Sequence, residues 1–226
     1  VDGRAGTSGT SDGASTPEAA ARSDQAPAGE PETDELLRAT AAAYESLRSL
    51  RADFVQRLEN PLLGKETTTR GTLFQRRPDR FLLRFSEPEG DIIVSDGRSI
   101  WVYYPSIDPE QVVRADASPG GAGAIDLQAQ FVGDPVERFR AERHPSERVA
   151  GREAYVVTLT PRRPAGYESL KVWIDARDHL VRRFVIRERS GLVRRFELRA
   201  LELNPALPDR LFEFEPPPGA TIVERG

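Results

Sequence analysis

The sequence has 226 residues, a formal net charge of −4 at pH 7 and 38% hydrophobic residues, which suits one domain of ordinary size with an additional polar segment. Its 30% charged residues are mixed in sign, so composition favours neither nucleic acid nor an anionic membrane surface as a partner. The absence of cysteine excludes disulfides, thiolate metal ligands and cysteine nucleophiles, and no apolar run approaches the length of about 18 residues that spans a membrane.

Residues 1–33 differ in composition from the rest of the chain. They contain one large apolar residue, Val1, and are rich in Gly, Ser, Thr, Ala and Pro. Such a segment cannot bury enough apolar surface to offset the entropy lost on ordering. We therefore predict a disordered linker over 1–33, either a ragged terminus or a tether to a membrane anchor, and one folded domain over 34–226.

An amphipathic helix is predicted over 34–50. Thr33 is a candidate N-cap, and Asp34 and Glu35 place acidic residues in the first turn. Residues at helical spacing share one face, which must pack on another surface. These residues are Leu36, Leu37, Thr40, Tyr44, Leu47 and Leu50.

The segment 76–104 is predicted to be an antiparallel meander, preceded by strands over 52–58 and 67–75. Apolar residues alternate at strand period after a turn signal at Pro78-Asp79, and Asp96-Gly97 is a strong hairpin signal. The apolar side chains in this meander are large, and both faces of 81–85 are apolar. The residues alone therefore do not decide which face points inward.

A Gly-rich joint at 118–124 precedes a predicted helical pair over 125–139, whose second helix begins with Asp134 as N-cap and Pro135 at its first position. From about residue 140 the alternation predicts strands again. The pattern indicates a mainly β (α+β) fold of about ten or eleven strands. Because so long an antiparallel sheet must curl or expose edges, the two helical segments are the available covers for its apolar face.

No pattern in the sequence indicates catalysis. We place His144 in a charged loop and His179 in a turn, and neither has a partner at zinc-site spacing. Nucleophile-elbow, Walker and dinucleotide glycine patterns are lacking, and most carboxylates alternate with arginines as on solvated strand faces. We therefore predict that the protein is not an enzyme and has no metal or cofactor.

The many aromatic residues leave two interpretations open. They either fill a core, as aromatic residues usually do, or line a cavity for an apolar ligand beneath a hinged helical cover. Arg77, at a strand end before Pro78, likewise has two interpretations. It is one surface arginine among many, or it donates to helix-end carbonyls and holds the cover closed.

Two motifs then point to a family. One comprises Arg-Arg-Pro-Asp-Arg-Phe at 76–81 and Ile-Ile-Val-Ser-Asp-Gly-Arg-Ser-Ile-Trp-Val-Tyr at 92–103. The other is Phe-Glu-Phe-Glu-Pro-Pro-Pro-Gly-Ala-Thr-Ile at 212–222. In this order and spacing the chain resembles the outer-membrane lipoprotein carrier protein family, LolA, over 34–223.

This resemblance implies an unclosed, curved antiparallel β-barrel with a helical lid over an apolar cavity. It implies a monomeric periplasmic chaperone without a nucleic-acid partner, with a signal peptide removed before Val1 and an N-terminal tail that is a candidate membrane tether. Its expected partners are acylated lipoproteins, an inner-membrane lipoprotein-releasing ABC transporter and an outer-membrane lipoprotein receptor. Two alternatives stay open: a lipid-binding sensor or regulator, and a glycolipid carrier built on the same half-barrel.

The resemblance also assigns residues. The family's rim arginine that bonds the lid matches Arg77, and a cavity aromatic matches Phe81. Leu83 replaces a second family aromatic, a departure that would widen the pocket. The predicted lining of the acyl-chain cavity is Phe81, Leu83, Phe85, Ile93, Leu127 and Phe131.

Overall fold

The computed structural model describes residues 31–117 and 126–225. The predicted linker therefore lies outside the described residues except for its last three, of which Thr33 already begins a helix. The predicted Gly-rich joint at 118–124 lies outside them as well. No helix in the described ranges is long and apolar enough to cross a membrane.

The first helix, α1, spans Thr33–Ser46 and is shorter than predicted at its C-terminal end. Its N-cap is Glu32, one residue before the predicted cap, and the Glu32 carbonyl accepts the Leu36 N–H at 2.9 Å. Leu47 is already extended, and Leu50 belongs to the first strand. The prediction placed both leucines in the helix because their spacing also fits a helical face; the helix ends before Leu47, and pairing with two neighbouring strands places Leu50 in β1.

Twelve strands and three shorter helical elements follow α1 in the described residues. The strands before the lid are β1 Ser49–Asn60, β2 Lys65–Arg76, β3 Arg80–Glu87, β4 Glu89–Ser95, β5 Ser99–Tyr103 and β6 Gln111–Asp116. The lid helices are α2 Leu127–Phe131 and α3 Pro135–Arg138. The remaining elements are β7 Phe139–Val149, β8 Arg152–Pro161, β9 Tyr167–Asp175, β10 Val181–Glu188, β11 Val193–Leu203, a 3-10 helix Asp209–Phe212 and β12 Thr221–Arg225.

The strands form one sheet in the order β12-β6-β5-β4-β3-β2-β1-β11-β10-β9-β8-β7. β7 and β12 are its edges, so the sheet curls without closing, and the predicted mainly β, unclosed architecture is confirmed. Neighbours are antiparallel except β12 and β6, which pair in parallel. One local prediction is wrong: His144 lies in β7 rather than in a loop, opposite Val156.

The two faces of the sheet are covered differently. The face that we call the inner face carries the main hydrophobic cluster, to which α1 contributes Leu36 and Tyr44 and α2 contributes Leu127. On the other face, here the outer face, the segment 205–214 packs over β3 to β5 through Phe212. Both faces of β3 are apolar because each face is buried by a different segment.

A buried carboxylate ties the β9–β10 turn to β8. The side chain of Asp175 is fully buried and accepts hydrogen bonds from Arg152, from Arg182 Nε at 3.1 Å and from the Arg177 N–H at 2.9 Å. Asp178 pairs with the same two guanidinium groups. Burial by itself raises the pKa of Asp175, but these donors outweigh it and hold that pKa at about 2, below its ordinary value of 3.8.

We expect this carboxylate to make the fold acid-sensitive in a defined pH window. Because its pKa is lower in the folded state, its stabilisation is complete above about pH 4 and is lost as the pH falls through about 2. The loss amounts to about 2 kcal/mol in the free energy of unfolding. Denaturant titrations of Asp175→Asn should show a weaker pH dependence than wild type, whereas Asp108→Asn, at an exposed carboxylate, should keep it. If the free energy of unfolding of Asp175→Asn depended on pH as strongly as that of wild type, this assignment would be contradicted.

Candidate ligand-binding site

The predicted cavity residues of the meander all reach the inner face. Phe81, Leu83 and Phe85 alternate along β3 and are buried in the main cluster, and Ile93 lies opposite Leu83 on β4. Leu82, between them, faces the other way and packs with Val94 beneath Phe212. The structure thus decides the facing that the residues alone left open.

The two predicted lid residues join the same cluster from α2. Leu127 and Phe131 are fully buried, and the Phe131 ring stacks on Tyr44 of α1 with centroids 5.5 Å apart. Asp126, immediately before α2, accepts a hydrogen bond from the Gln75 side chain of β2 at 3.1 Å. The lid helix is therefore attached to both α1 and the sheet.

Tyr44 of α1 contacts both the lid and the sheet. Its hydroxyl accepts the Val181 N–H at 3.3 Å, and burial raises its pKa, so the phenol stays neutral. Aromatic rings continue the layer along the inner face: Phe54 meets Phe85 edge to face at 5.3 Å, and Phe184 stacks on Phe196 at 4.6 Å. In the structure the described side chains pack against one another, as the filled-core interpretation expects.

Arg77 donates a hydrogen bond to the Glu45 carbonyl oxygen at the C-terminal end of α1. Its backbone N–H also donates to the Arg48 carbonyl at 3.0 Å. The Glu45 carboxylate in turn accepts the N–H of Gly133, between the two lid helices, at 3.2 Å. The described side-chain bond of Arg77 is therefore to α1, and α1 connects it to the lid.

Arg138 joins the two lid helices to each other. From α3 its guanidinium donates to the Ala129 carbonyl at 2.8 Å and to the Gln130 carbonyl, at the end of α2. Burial lowers the pKa of Arg138, although its charge is retained. The sequence pattern does not single out Arg138. The Asp-Pro cap correctly predicts where α3 begins, and the Asp134 side chain accepts two backbone N–H groups there. Nothing in the pattern indicates which carbonyl oxygens Arg138, the last residue of α3, contacts.

A pocket of about 480 Å³ opens between the lid and the β8–β9 loop. Phe139 and Tyr167, which belong to the main cluster, form part of its wall, so it leads from the surface toward the inner face. The Tyr167 hydroxyl donates to the Gln130 side chain at 2.7 Å, and burial raises the Tyr167 pKa to about 12. Its size lies within the range of small-ligand sites.

Comparison with known proteins decides the family. The sequence matches the outer membrane lipoprotein carrier protein LolA family over residues 45–215, most of the folded part. The chain belongs to this family. An outer-membrane lipoprotein carrier protein from Alkalilimnicola ehrlichii is 30% identical over 187 residues, which cover 82% of each chain. A second from Nitrosospira multiformis is 27% identical over 180 residues, 79% of this chain and 84% of the relative.

One solved structure is similar to this chain in fold alone. The crystal structure of an uncharacterized conserved protein from Thermus thermophilus superimposes with a TM-score of 0.53 at 15% sequence identity. The match covers 84% of this chain and 98% of the other. Since identity is this low, the likeness concerns the curved sheet and its helices and carries no statement about ligands.

Metal-ligating side chains are not clustered in the part of this LolA-family chain that the structure describes. Within residues 31–117 and 126–225, no three His, Asp or Glu side chains are grouped so that they could hold an ion. His144 instead lies 2.8 Å from the Thr158 hydroxyl on the neighbouring strand, a contact within the sheet. The apolar inner face and its helical cover are therefore the described features best suited to a ligand.

Proposed function

We propose that this protein is a periplasmic lipoprotein carrier that shields the acyl chains of its cargo and transfers them from the inner to the outer membrane. The observation that carries the proposal is the cover of the inner face. Helix α1 and the lid helices α2 and α3 cover a large apolar surface; Arg77 donates to a carbonyl oxygen at the end of α1, and Arg138 joins α3 to a carbonyl oxygen of α2. Such bonds are few and break locally, so the cover can open while the sheet stays folded.

When the lid opens, the cavity would form between the side chains that pack against one another in the closed state. Phe81, Leu83, Phe85 and Ile93 would line it on the sheet side, and Leu127 and Phe131 on the lid side would move away with α2. Each acyl CH₂ removed from water gains about 0.8 kcal/mol, so three long chains in a preformed cavity would bind too tightly to release. The free energy needed to separate the packed aromatic rings and the lid offsets part of that gain. Closure over the empty site then favours release, with Arg77 as the latch.

The same proposal includes the partners and the domain boundaries. Acylated lipoproteins would arrive from an inner-membrane ABC transporter and leave to an outer-membrane receptor, with a monomer carrying them between. Residues 34–226 would form the carrier domain and 1–33 a linker or tether. The names of the relatives, which are lipoprotein carriers, support this role.

Purification of the full chain from its native periplasm tests the proposal directly. Mass analysis of what co-purifies should find triacylated polypeptides. Free glycolipid in their place would favour the glycolipid-carrier alternative, and a preparation without any lipid would contradict a carrier role. Arg138→Leu, which loosens α2, should change the amount of bound cargo but not its chemical class.

A further inference from the structure

The tip of the β1–β2 hairpin exposes two adjacent leucines. Leu62 and Leu63 have 85% and 67% of their surface exposed, and Ile107 in the β5–β6 loop has 80%. No other large hydrophobic residue in the described ranges is as exposed as these three. Single exposed apolar residues are ordinary on protein surfaces, but two neighbours at a tip form a patch that calls for a partner.

The turn itself is built to present these side chains. The Asn60 side-chain oxygen accepts the N–H groups of Leu62 and Leu63 at 3.1 and 3.3 Å, and Gly64 adopts the left-handed conformation with φ +58°. Pairing of β2 with β3 begins only at Arg70, so residues 65–69 of β2 extend past the end of β3. The two leucines therefore stand on a hydrogen-bonded projection of the sheet.

The projection lies at the same end of the sheet as the pocket under the lid. Glu59, near the tip, lies opposite Val193 of β11; Val193 lies opposite Arg187 of β10, and Arg187 opposite Ser169 of β9. Tyr167, which begins β9, lines the pocket. The exposed leucines and Tyr167 in the wall of the pocket thus lie at the same end of their strands.

We propose that the 61–64 tip is a membrane-docking element that inserts Leu62 and Leu63 into the surface of a phospholipid bilayer. The inference rests on the proposed function, because acyl chains that enter or leave the pocket come from or go to a bilayer. Two leucines offer far less than the roughly 800 Å² per partner of a stable protein interface. A bilayer, by contrast, accepts single side chains, each in proportion to its apolar area.

The charges beside the tip specify how it would dock. Lys65 directly follows the turn and can place its ammonium among the headgroups while the leucines insert. Glu66 then cancels that charge, and the whole chain is acidic with a net charge of −4. Docking therefore depends on insertion of apolar side chains, and added salt should weaken it little.

Vesicle flotation of the cargo-free full chain tests the proposal. With vesicles of phosphatidylethanolamine and phosphatidylglycerol, wild type should float. The affinity of the double variant Leu62→Ser/Leu63→Ser for the vesicles should be lower by a factor of about ten or more. Leu203→Ser is the matched control because Leu203 is 48% exposed at the opposite end of β11 and should change nothing. Equal flotation of all three proteins, or binding that vanishes with added salt in wild type, would overturn the proposal.

A label at the tip separates insertion from other contacts. Because the chain has no cysteine, Leu62→Cys provides a unique site for an environment-sensitive dye. Its emission should shift to the blue on vesicles, and a dye at Leu203→Cys should not shift. A blue shift caused by protein concentration alone, without vesicles, would instead identify self-association and contradict membrane docking.

A parallel assay keeps this inference separate from the carrier role. Capture of a triacylated lipopeptide in solution is measured for wild type and the double variant. Normal capture together with lost vesicle binding supports a docking role for the tip. Failure of wild type to capture the lipopeptide would contradict the proposed function, while the flotation result would still decide the docking element.

Discussion

Gly71→Ala is expected to lower the free energy of unfolding by about 3 kcal/mol, as large an effect as overpacking usually gives. A Cβ atom at Gly71 would lie 2.2 Å from the Arg84 carbonyl oxygen and 2.8 Å from the Phe54 ring. The oxygen belongs to the backbone of β3, so it can move only if the two strands separate. The register shift between Arg70 and Gly71 lies at this same close approach. Urea titration followed by circular dichroism measures the loss.

Gly191→Ala is the control that separates steric overlap from backbone strain. Gly191 has φ +85° in the β10–β11 turn, and a Cβ there would meet nothing within 4 Å. The loss in free energy of unfolding caused by Gly191→Ala should therefore be limited to the strain of a left-handed backbone, about 1 kcal/mol. Comparable losses at the two sites would show that the contact of Gly71 with β3 is not what limits substitution.

Arg77→Leu is expected to leave cargo uptake unchanged and to slow hand-off about tenfold. The substitution removes the donor to the Glu45 carbonyl, and hydrogen bonds from charged groups contribute about 1.5–3 kcal/mol. A loss of about 1.4 kcal/mol of closing free energy corresponds to a factor of ten. Because α1 contacts the lid through Gly133, weaker closure should reduce the tendency to expel cargo. Transfer of a fluorescent triacylated lipopeptide from carrier to acceptor vesicles gives the rate.

Arg98→Leu is the matched variant for this measurement. Arg98 is an exposed arginine in the turn between β4 and β5, at the same end of the strands as Arg77, and none of its described hydrogen bonds reaches a helix. It should transfer cargo as wild type does. If Arg77→Leu and Arg98→Leu release cargo at the same rate as wild type, Arg77 is not a latch.

Local patterns predicted the parts of the fold that local chemistry controls. The meander over 76–104 has the predicted turns at Pro78 and Gly97, and α3 begins at the predicted Asp-Pro cap. The curl of the sheet also follows, since so many antiparallel strands must curl or expose edges, whereas its unclosed form was implied by the family resemblance. These features depend on residues close together in the sequence, where turn preference and side-chain alternation are strongest.

The features that the sequence did not predict depend on distant segments. The facing of Leu82 is fixed by Phe212, and both faces of its strand are apolar because the 205–214 segment covers one of them. The partners of Arg77 and Arg138 are backbone carbonyls, and every residue carries one, so the pattern cannot identify them. Leu50 similarly belongs to β1 because a strand from the far end of the chain pairs with it.

The order of strands has a consequence for folding kinetics. Strands β1 to β6 pair as successive neighbours, as do β7 to β11, and the pairing of β1 with β11 is the contact between these two runs in the sheet. At the end of that seam the Arg48 N–H bonds the Asn204 side chain, 156 residues away. Closing so long a loop costs entropy before the contacts reward it, so we expect the seam to form last and to set the folding rate. Substitutions within the other hairpins, which form before this step, should then slow folding, whereas those at β1–β11 contacts that form after it should mainly speed unfolding.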